Sequence, residues 1–334
     1  MKYLAVVGTG AALPEKRVGP ADFLANGASP ELLAEWDVGE HYVATTETAT
    51  DLECRASLEA IGRAGWQPQD IDLIIGSTLL PEKVNPPNVS LTQHKIGASG
   101  AAAFEVDMSL IGAVPSLMVA DALYKAGLYK RILVVASCQL QGAADPSDPA
   151  FFAVCGDGAA AVALGEVDEP AGVLGTHLTA NGKFWDVVGI EPKAPKMAPD
   201  GDVRPRFYID PGRCGDPQEF FAWGMSSVPE AVGTLLEKLQ LSLSDIDWVC
   251  PHQNVKPVSE AWLARIGIPG DRVVHTRKEY GNCGPANVLL NLNRGAERRK
   301  FKEGDRILLC GQGSGMSVGV LVLRWYGGAN PRMT

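Results

Sequence analysis

The chain has 334 residues, of which 46% are hydrophobic and 21% charged, and a formal net charge of -9 at pH 7. That length suits one large domain or two ordinary ones. The acidic balance, with no basic cluster beyond Arg294 to Lys302, excludes nucleic acid as an expected partner, and no apolar run reaches the roughly 18 residues of a membrane span. Seven cysteines, Cys54, Cys138, Cys155, Cys214, Cys250, Cys283 and Cys310, form no CxxC pair. The pattern does not suggest zinc, and with no charged leader before the first strand it fits reduced thiols in a cytoplasmic protein.

In chain order, Tyr3 to Thr9 reads as a first strand, closed by Gly8, Gly10 and Pro14. Within Ala21 to His41, Asp22 or Ser29 is placed to cap a short helix, and Pro30 fits a first turn. Thr48 to Ala64 has helical spacing, Ile71 to Gly76 is a buried-type strand, Ser77 to Pro87 a loop and Asn88 to Ile96 a short helix. Ala103 to Val106 reads as a strand that leads into Asp107 to Gly112. From there to Ala126 the pattern is helical and apolar on nearly all sides, as in a buried helix. Arg131 to Ala136 is a strand and Gln139 to Phe152 a loop. Ala159 to Leu164 and Val173 to Leu178 are expected to run antiparallel across a turn.

Asn181 to Pro217 is rich in proline and glycine without a period, and reads as an excursion serving as a lid or tunnel wall. Beyond it, helices at Phe220 to Leu239, Val258 to Ile266 and Asn287 to Lys300 alternate with strands at Ile246 to Cys250, Val273-Val274, Arg306 to Cys310 and Val318 to Trp325. The alternation predicts an α/β fold with largely parallel strands.

Two turns carry candidate chemistry. Pro251 ends a strand because it has no amide hydrogen, and His252 follows at the strand's carboxyl end, where open α/β sheets bind ligands. Asn282 lies in the glycine-rich turn Tyr280-Gly281-Asn282-Cys283-Gly284-Pro285-Ala286-Asn287, which opens a helix. An imidazole that donates or takes a proton and a carboxamide that donates suit acyl transfer. A structural histidine and an ordinary Gly-Asn turn are the plainer readings.

These turns resemble the PHQ-type and GN-type turns of the ketoacyl synthase III family of the thiolase superfamily. Three more stretches agree: Val6-Val7-Gly8-Thr9-Gly10 to Leu13-Pro14 with the first strand, Cys155-Gly156-Asp157-Gly158-Ala159-Ala160 with the GDGA turn, and Gly311-Gln312-Gly313-Ser314-Gly315 with the C-terminal glycine loop. They occur in the family's order over essentially the whole chain. The resemblance implies a thiolase-like α/β fold of two similar halves, residues 1–170 and 171–334, with mixed five-stranded sheets around buried central helices. It also implies a homodimer, no permanently bound cofactor, and acyl-ACP or acyl-CoA as co-substrate.

The family places its catalytic cysteine at the start of the central helix, two residues before a glycine. Here Gly112 sets Leu110 at that position, and leucine forms no acyl-enzyme. Ser109 beside it is either a nucleophile activated by His252 or a helix cap. Cys283 is a second candidate that, like Cys155 and Cys138, reads more simply as a packing residue. Backbone amides near Leu110, Gly313 and Ser314 are the expected oxyanion donors. Where the family grips the coenzyme A nucleotide, Pro30 to Glu35 and Asp145 to Pro149 contain no arginine. Trp36 is a stacking residue or plain surface, and Lys256 and Arg265 are docking cations or solvated charges.

The resulting expectation is an acyltransferase that moves an acyl group from an acyl carrier protein or coenzyme A thioester to a small alcohol, amine or activated carbon, in specialised-metabolite or polyketide biosynthesis. His252 is its general base and Asn282 an electrostatic stabiliser, with or without a Ser109 acyl-enzyme. Three alternatives remain beside it: a non-catalytic or partner-dependent subunit of a condensing heterodimer, 3-oxoacyl-ACP synthase III-type condensation, and thioester hydrolysis.

Overall fold

The computed structural model of the chain describes residues 2–143, 148–191 and 205–327. The first strand, β1 (Tyr3–Ala12), is followed by a small ribbon of β2 (Lys16–Val18) and β3 (His41–Val43) that frames α1 (Pro20–Ala25) and α2 (Pro30–Glu35). Next come α3 (Ala49–Arg63), β4 (Leu73–Leu79), α4 (Asn88–Ile96), β5 (Ala102–Glu105), α5 (Ala113–Lys125), β6 (Ile132–Gln139), α6 (Pro149–Val154) and β7 (Asp157–Val167). The chain continues through β8 (Gly172–Ala180), the hairpin β9 (Val188–Glu191) and β10 (Arg206–Ile209), α7 (Pro217–Leu239) and β11 (Trp248–Pro251). It closes with α8 (Lys256–Ile266), α9 (Arg277–Tyr280), α10 (Asn287–Glu297), β12 (Arg306–Gly313) and β13 (Ser317–Arg324).

Local chemistry explains most boundaries. Thr48 and Asp51 form a reciprocal capping box at the start of α3, and Leu52, Ala56, Ala60 and Ile61 give that helix its buried face. Ser29 caps α2 by accepting from the Leu32 amide at 3.1 Å. Asp22 is not a cap residue: it lies inside α1 and accepts from the Gly19 amide at 2.8 Å. The loop expected over Gln139 to Phe152 contains α6, because Asp148 caps it and Pro149 presets its first turn. Asp145, Pro146 and Ser147 lie outside the described residues, as does 192–204 of the expected excursion.

Two sheets form, ordered β1-β7-β6-β4-β5 and β11-β12-β13-β8. Both are mixed rather than largely parallel. β4 runs parallel to β5 and β6, and β11 to β12, while β1–β7, β6–β7, β12–β13 and β13–β8 are antiparallel. β7 and β8 do not pair with each other. A strand has two hydrogen-bonding edges, and those of β7 are taken by β1 and β6, so the chain crosses to the other sheet, where β8 joins β13. The second sheet has four strands among the described residues. In place of a fifth, Val273 makes one bridge to Val249.

α5 lies between the sheets. Val114 and Leu117 share a core with Leu73, Ile75 and Val134 of one sheet and Leu309, Leu321 and Leu323 of the other. Each fully buried leucine contributes about 1.5–3 kcal/mol. Only the first half of α5 is buried; beyond Ala120 the helix reaches the surface, which corrects the all-round apolar reading. No helix among the described residues is long and apolar enough to cross a membrane.

On the other side of the first sheet, Glu53 of α3 is completely buried. Its carboxyl accepts from Thr78 and Ser137 hydroxyls, each at 2.6 Å, from Asn88 Nδ2 at 3.0 Å, and from Thr92. Burial pushes it above the usual carboxylate range. Glu53→Ala strands these donors and should destabilise the fold by about 3 kcal/mol or more, seen as a lower urea midpoint. Glu53→Gln, which keeps one acceptor oxygen, should cost less.

Candidate active site

The carboxyl end of β11 and the turn before α10 converge on one cavity. Pro251 pairs with Cys310 of β12, and the His252 amide continues the ladder to the Cys310 carbonyl at 2.7 Å. The His252 side chain then lies over Gly311, where an added Cβ would come within 2.4 Å of His252 Cβ. Only glycine leaves room for the imidazole there. Asn291 Nδ2 donates to the Pro251 carbonyl at 2.8 Å and fixes the turn from α10.

Asn282 is held by its backbone. Its amide donates to Val154 O at 2.8 Å, and its carbonyl accepts from the Gly156 amide at 3.0 Å. Its side-chain Oδ1 accepts from the Gly284 amide at 3.0 Å and from Asn287 Nδ2 at 2.8 Å. The same Asn287 Nδ2 lies 3.2 Å from His252 Nδ1, and Asn287 Oδ1 accepts from the Cys283 amide at 2.8 Å. Asn287 is fully buried and joins the two expected side chains. The sequence reading assigned it no role. The available signal was a pair of asparagines, 287 and 291, one turn apart among the leucines of α10.

The cavity has a volume of about 370 Å³. His252, Asn282, Leu110 and Gly313 line it near the turns, with Cys155 beside them. Phe207, Tyr208 and Ile209 of β10, Phe220, Phe221 and Met225 of α7, Trp36 and the carboxylate Asp148 also line it. Residues of the expected 181–217 excursion therefore supply part of the wall. No lysine or arginine lines the cavity among the described residues. Lys256 approaches Glu260 at 3.8 Å, and Arg265 is exposed.

At the position where the resemblance expects the nucleophile, the side chain is hydrocarbon. Leu110 is buried and lines the cavity. Ser109 does not line it: the residue is half-buried at φ 51°, with its amide on Asp107 Oδ1 at 2.7 Å. Nor does Ser109 cap α5, whose cap position is Gly112. Of the expected oxyanion loop, Gly313 reaches the cavity and Ser314 does not.

Burial pushes the thiols of Cys138, Cys155 and Cys283 well above the ordinary value, and the Asp157 carboxylate adds to the effect. Asp157, in the GDGA turn, accepts from the Ala44 and Gln141 amides at 2.9 and 3.0 Å, and burial raises it to about 7. Burial lowers His252 to about 4, so the imidazole is neutral near pH 7. His41 is likewise lowered to about 4.

Comparison with known proteins places this arrangement. Residues 104–182 match the family described as 3-oxoacyl-[acyl-carrier-protein (ACP)] synthase III, and residues 236–325 match its C-terminal part. A beta-ketoacyl-[acyl-carrier-protein] synthase III of Sphingopyxis alaskensis is 32% identical over 325 residues, covering 95% of this chain and 97% of its own. The chain belongs to the 3-oxoacyl-ACP synthase III family. A second synthase III relative, from Cereibacter sphaeroides, is 34% identical over 85% of this chain and 86% of its own. The 3-oxoacyl-[acyl-carrier-protein] synthase III structure from Aquifex aeolicus superposes with a TM-score of 0.87 at 27% identity, covering 97% of this chain and 100% of that one. The thiolase-like α/β fold, and with it the recognition of a synthase III-like chain, is thereby established.

Two measurements test how this family member holds its site. Gly311→Ala drives a methyl into His252 and should cost about 1–3 kcal/mol in denaturant unfolding. Gly100→Ala, which meets nothing within 4 Å, should be near neutral. The second concerns pH. His41 has a folded value near 4, below its ordinary 6.5, so the unfolded chain takes up the proton first on acidification. The stability this represents is present above pH 6.5 and is lost as pH falls toward 4, on the order of 3 kcal/mol. Asp157, raised from 3.8 to about 7, runs the other way, its contribution being lost as pH rises through 7. Urea unfolding should therefore be compared between proteins: from pH 6.5 to 4 the wild type should lose about 3 kcal/mol more than His41→Phe.

Proposed function

We propose that this synthase III family member transfers an acyl group directly from an acyl carrier protein or coenzyme A thioester to a small alcohol, amine or activated carbon, with no acyl-enzyme. One observation carries the reading: Leu110, and not Ser109, faces the cavity shared by His252 and Asn282. The neighbouring thiols, held protonated by burial, are poor nucleophiles. His252 and Asn282 polarise the thioester carbonyl. The acceptor atom attacks the carbonyl carbon, the carbon–sulfur bond breaks, and the departing sulfur takes the proton that the acceptor loses. The largely apolar wall formed by Phe207, Ile209, Phe220 and Phe221 suits the acyl chain.

Specialised-metabolite or polyketide assembly is the setting of this proposal, supported by the loss of the residue through which fatty-acid initiation runs in the family. A homodimer is part of it as well. Edge strand β5 has a neighbour on one side only among the described residues, which leaves a strand edge for a second copy.

Intact-protein mass measurement after incubation with acyl donors tests the mechanism. Wild type should show product with a suitable acceptor and no mass increase. Leu110→Cys, which restores a thiol beside His252 and Asn282, should gain one acyl group. A wild-type adduct that disappears in Ser109→Ala would refute direct transfer. Turnover that requires a homologous partner chain would instead make the protein a subunit of a heterodimer.

A further inference from the structure

We infer that Asn287 is a positioning residue that locks His252 in its Nε2–H form, making it a hydrogen-bond donor to the thioester oxygen and not the base that takes the acceptor's proton. The inference rests on the acyl-transfer reading above and specifies how its central side chain works.

The orientation of the Asn287 amide is not free. The Cys283 backbone amide lies 2.8 Å from one end of it, and an N–H donor requires oxygen there. The other end is therefore Nδ2, which lies 2.8 Å from Asn282 Oδ1 and 3.2 Å from His252 Nδ1. An amide nitrogen has two hydrogens and accepts nothing, so both contacts are donations. His252 Nδ1 must accept. A neutral imidazole has one accepting nitrogen, so its proton sits on Nε2.

Asn282 is oriented in the same way. Its Oδ1 receives both the Gly284 amide and Asn287 Nδ2, which leaves its Nδ2 as the free donor. One buried carboxamide thus presents two N–H groups, His252 Nε2 and Asn282 Nδ2, to the same cavity. For His252 to act as a base through Nε2, its proton would have to move to Nδ1, where it would face the Asn287 NH₂, donor against donor. The acceptor's proton therefore departs with the leaving thiol.

The deciding readout is spectroscopic and needs no substrate; the kinetic readout is taken beside it. The chain has five histidines, so protein labelled with ¹⁵N at histidine gives a tractable long-range ¹H–¹⁵N spectrum, with His252 assigned by its loss in His252→Gln. Wild-type His252 should show a protonated Nε2 and a bare Nδ1. Asn287→Leu, of nearly equal size, should abolish that single tautomer and lower kcat for acyl transfer roughly ten- to a hundredfold, with a smaller change in KM. Asn287→Asp, which puts an acceptor in place of the donor, should move the proton to Nδ1.

A wild-type His252 protonated at Nδ1, or an Nε2–H form that persists in Asn287→Leu, overturns the assignment. Should the leucine variant fail to fold, the wild-type and Asn287→Asp spectra still decide it. If the tautomer is as expected but the wild type transfers no acyl group, the transfer reading falls while the hold of Asn287 on His252 stands.

Discussion

The site depends on a buried carboxamide relay along one face of α10. Asn287 and Asn291, both fully buried and one turn apart, reach two separate turns. Asn287 joins His252 to Asn282. Asn291 holds the Pro251 carbonyl and accepts from Gln253 Nε2 at 2.5 Å and from the Thr276 hydroxyl at 2.9 Å. A buried amide left without partners costs about 1–3 kcal/mol per group, so such a network is stable only when complete. The same helix inserts Leu289, Leu290 and Leu292 into the central core. A shift of α10 that loosened the relay would also open that core, and close-packed interiors resist such shifts.

The relay contains no formal charge; among the described residues the one charged side chain that lines the cavity is Asp148. His252 is neutral, the nearby thiols are neutral, and no cation lines the wall among the described residues. Near the two turns the polar side chains that line the cavity, His252 and Asn282, are neutral and oriented by the relay. In a low-dielectric pocket such dipoles act strongly on a developing oxyanion and need no reorganisation when the charge appears.

Features set by short-range chemistry were readable from the chain. The apolar run before Pro251 forms β11 and so places His252 at its carboxyl end, although the strand extends through Pro251 and the ladder resumes at the His252 amide. Pro149 presets the first turn of α6. The Thr48–Asp51 box starts α3. Features set by long-range pairing were not. β7 and β8 are adjacent in sequence and each looks like half of a hairpin, yet the free edges of β1 and β6 claim β7. Ser109 and Leu110 are neighbours that face different surroundings because Ser109 has a positive φ, which no periodicity reveals. Asn287 lies 35 residues from His252, and only the folded topology brings its amide to the ring.

The turn before α5 is held by its packing. A non-glycine residue in the left-handed region costs of order 1–3 kcal/mol and persists only where its surroundings impose it. At Ser109 they do. Asp107 accepts its amide, Ile111 is fully buried behind it, and Gly112 sits so close to Ser77 that an added Cβ would come within 1.9 Å of the hydroxyl. These contacts belong to the insertion of α5 between the sheets and involve no nucleophile. The sharp turn is thus a demand of packing, and the residue after it, Leu110, lines the same cavity as His252 and Asn282. A leucine at 110 is accommodated by this packing, and the relay from Asn287 is anchored on a different helix, α10.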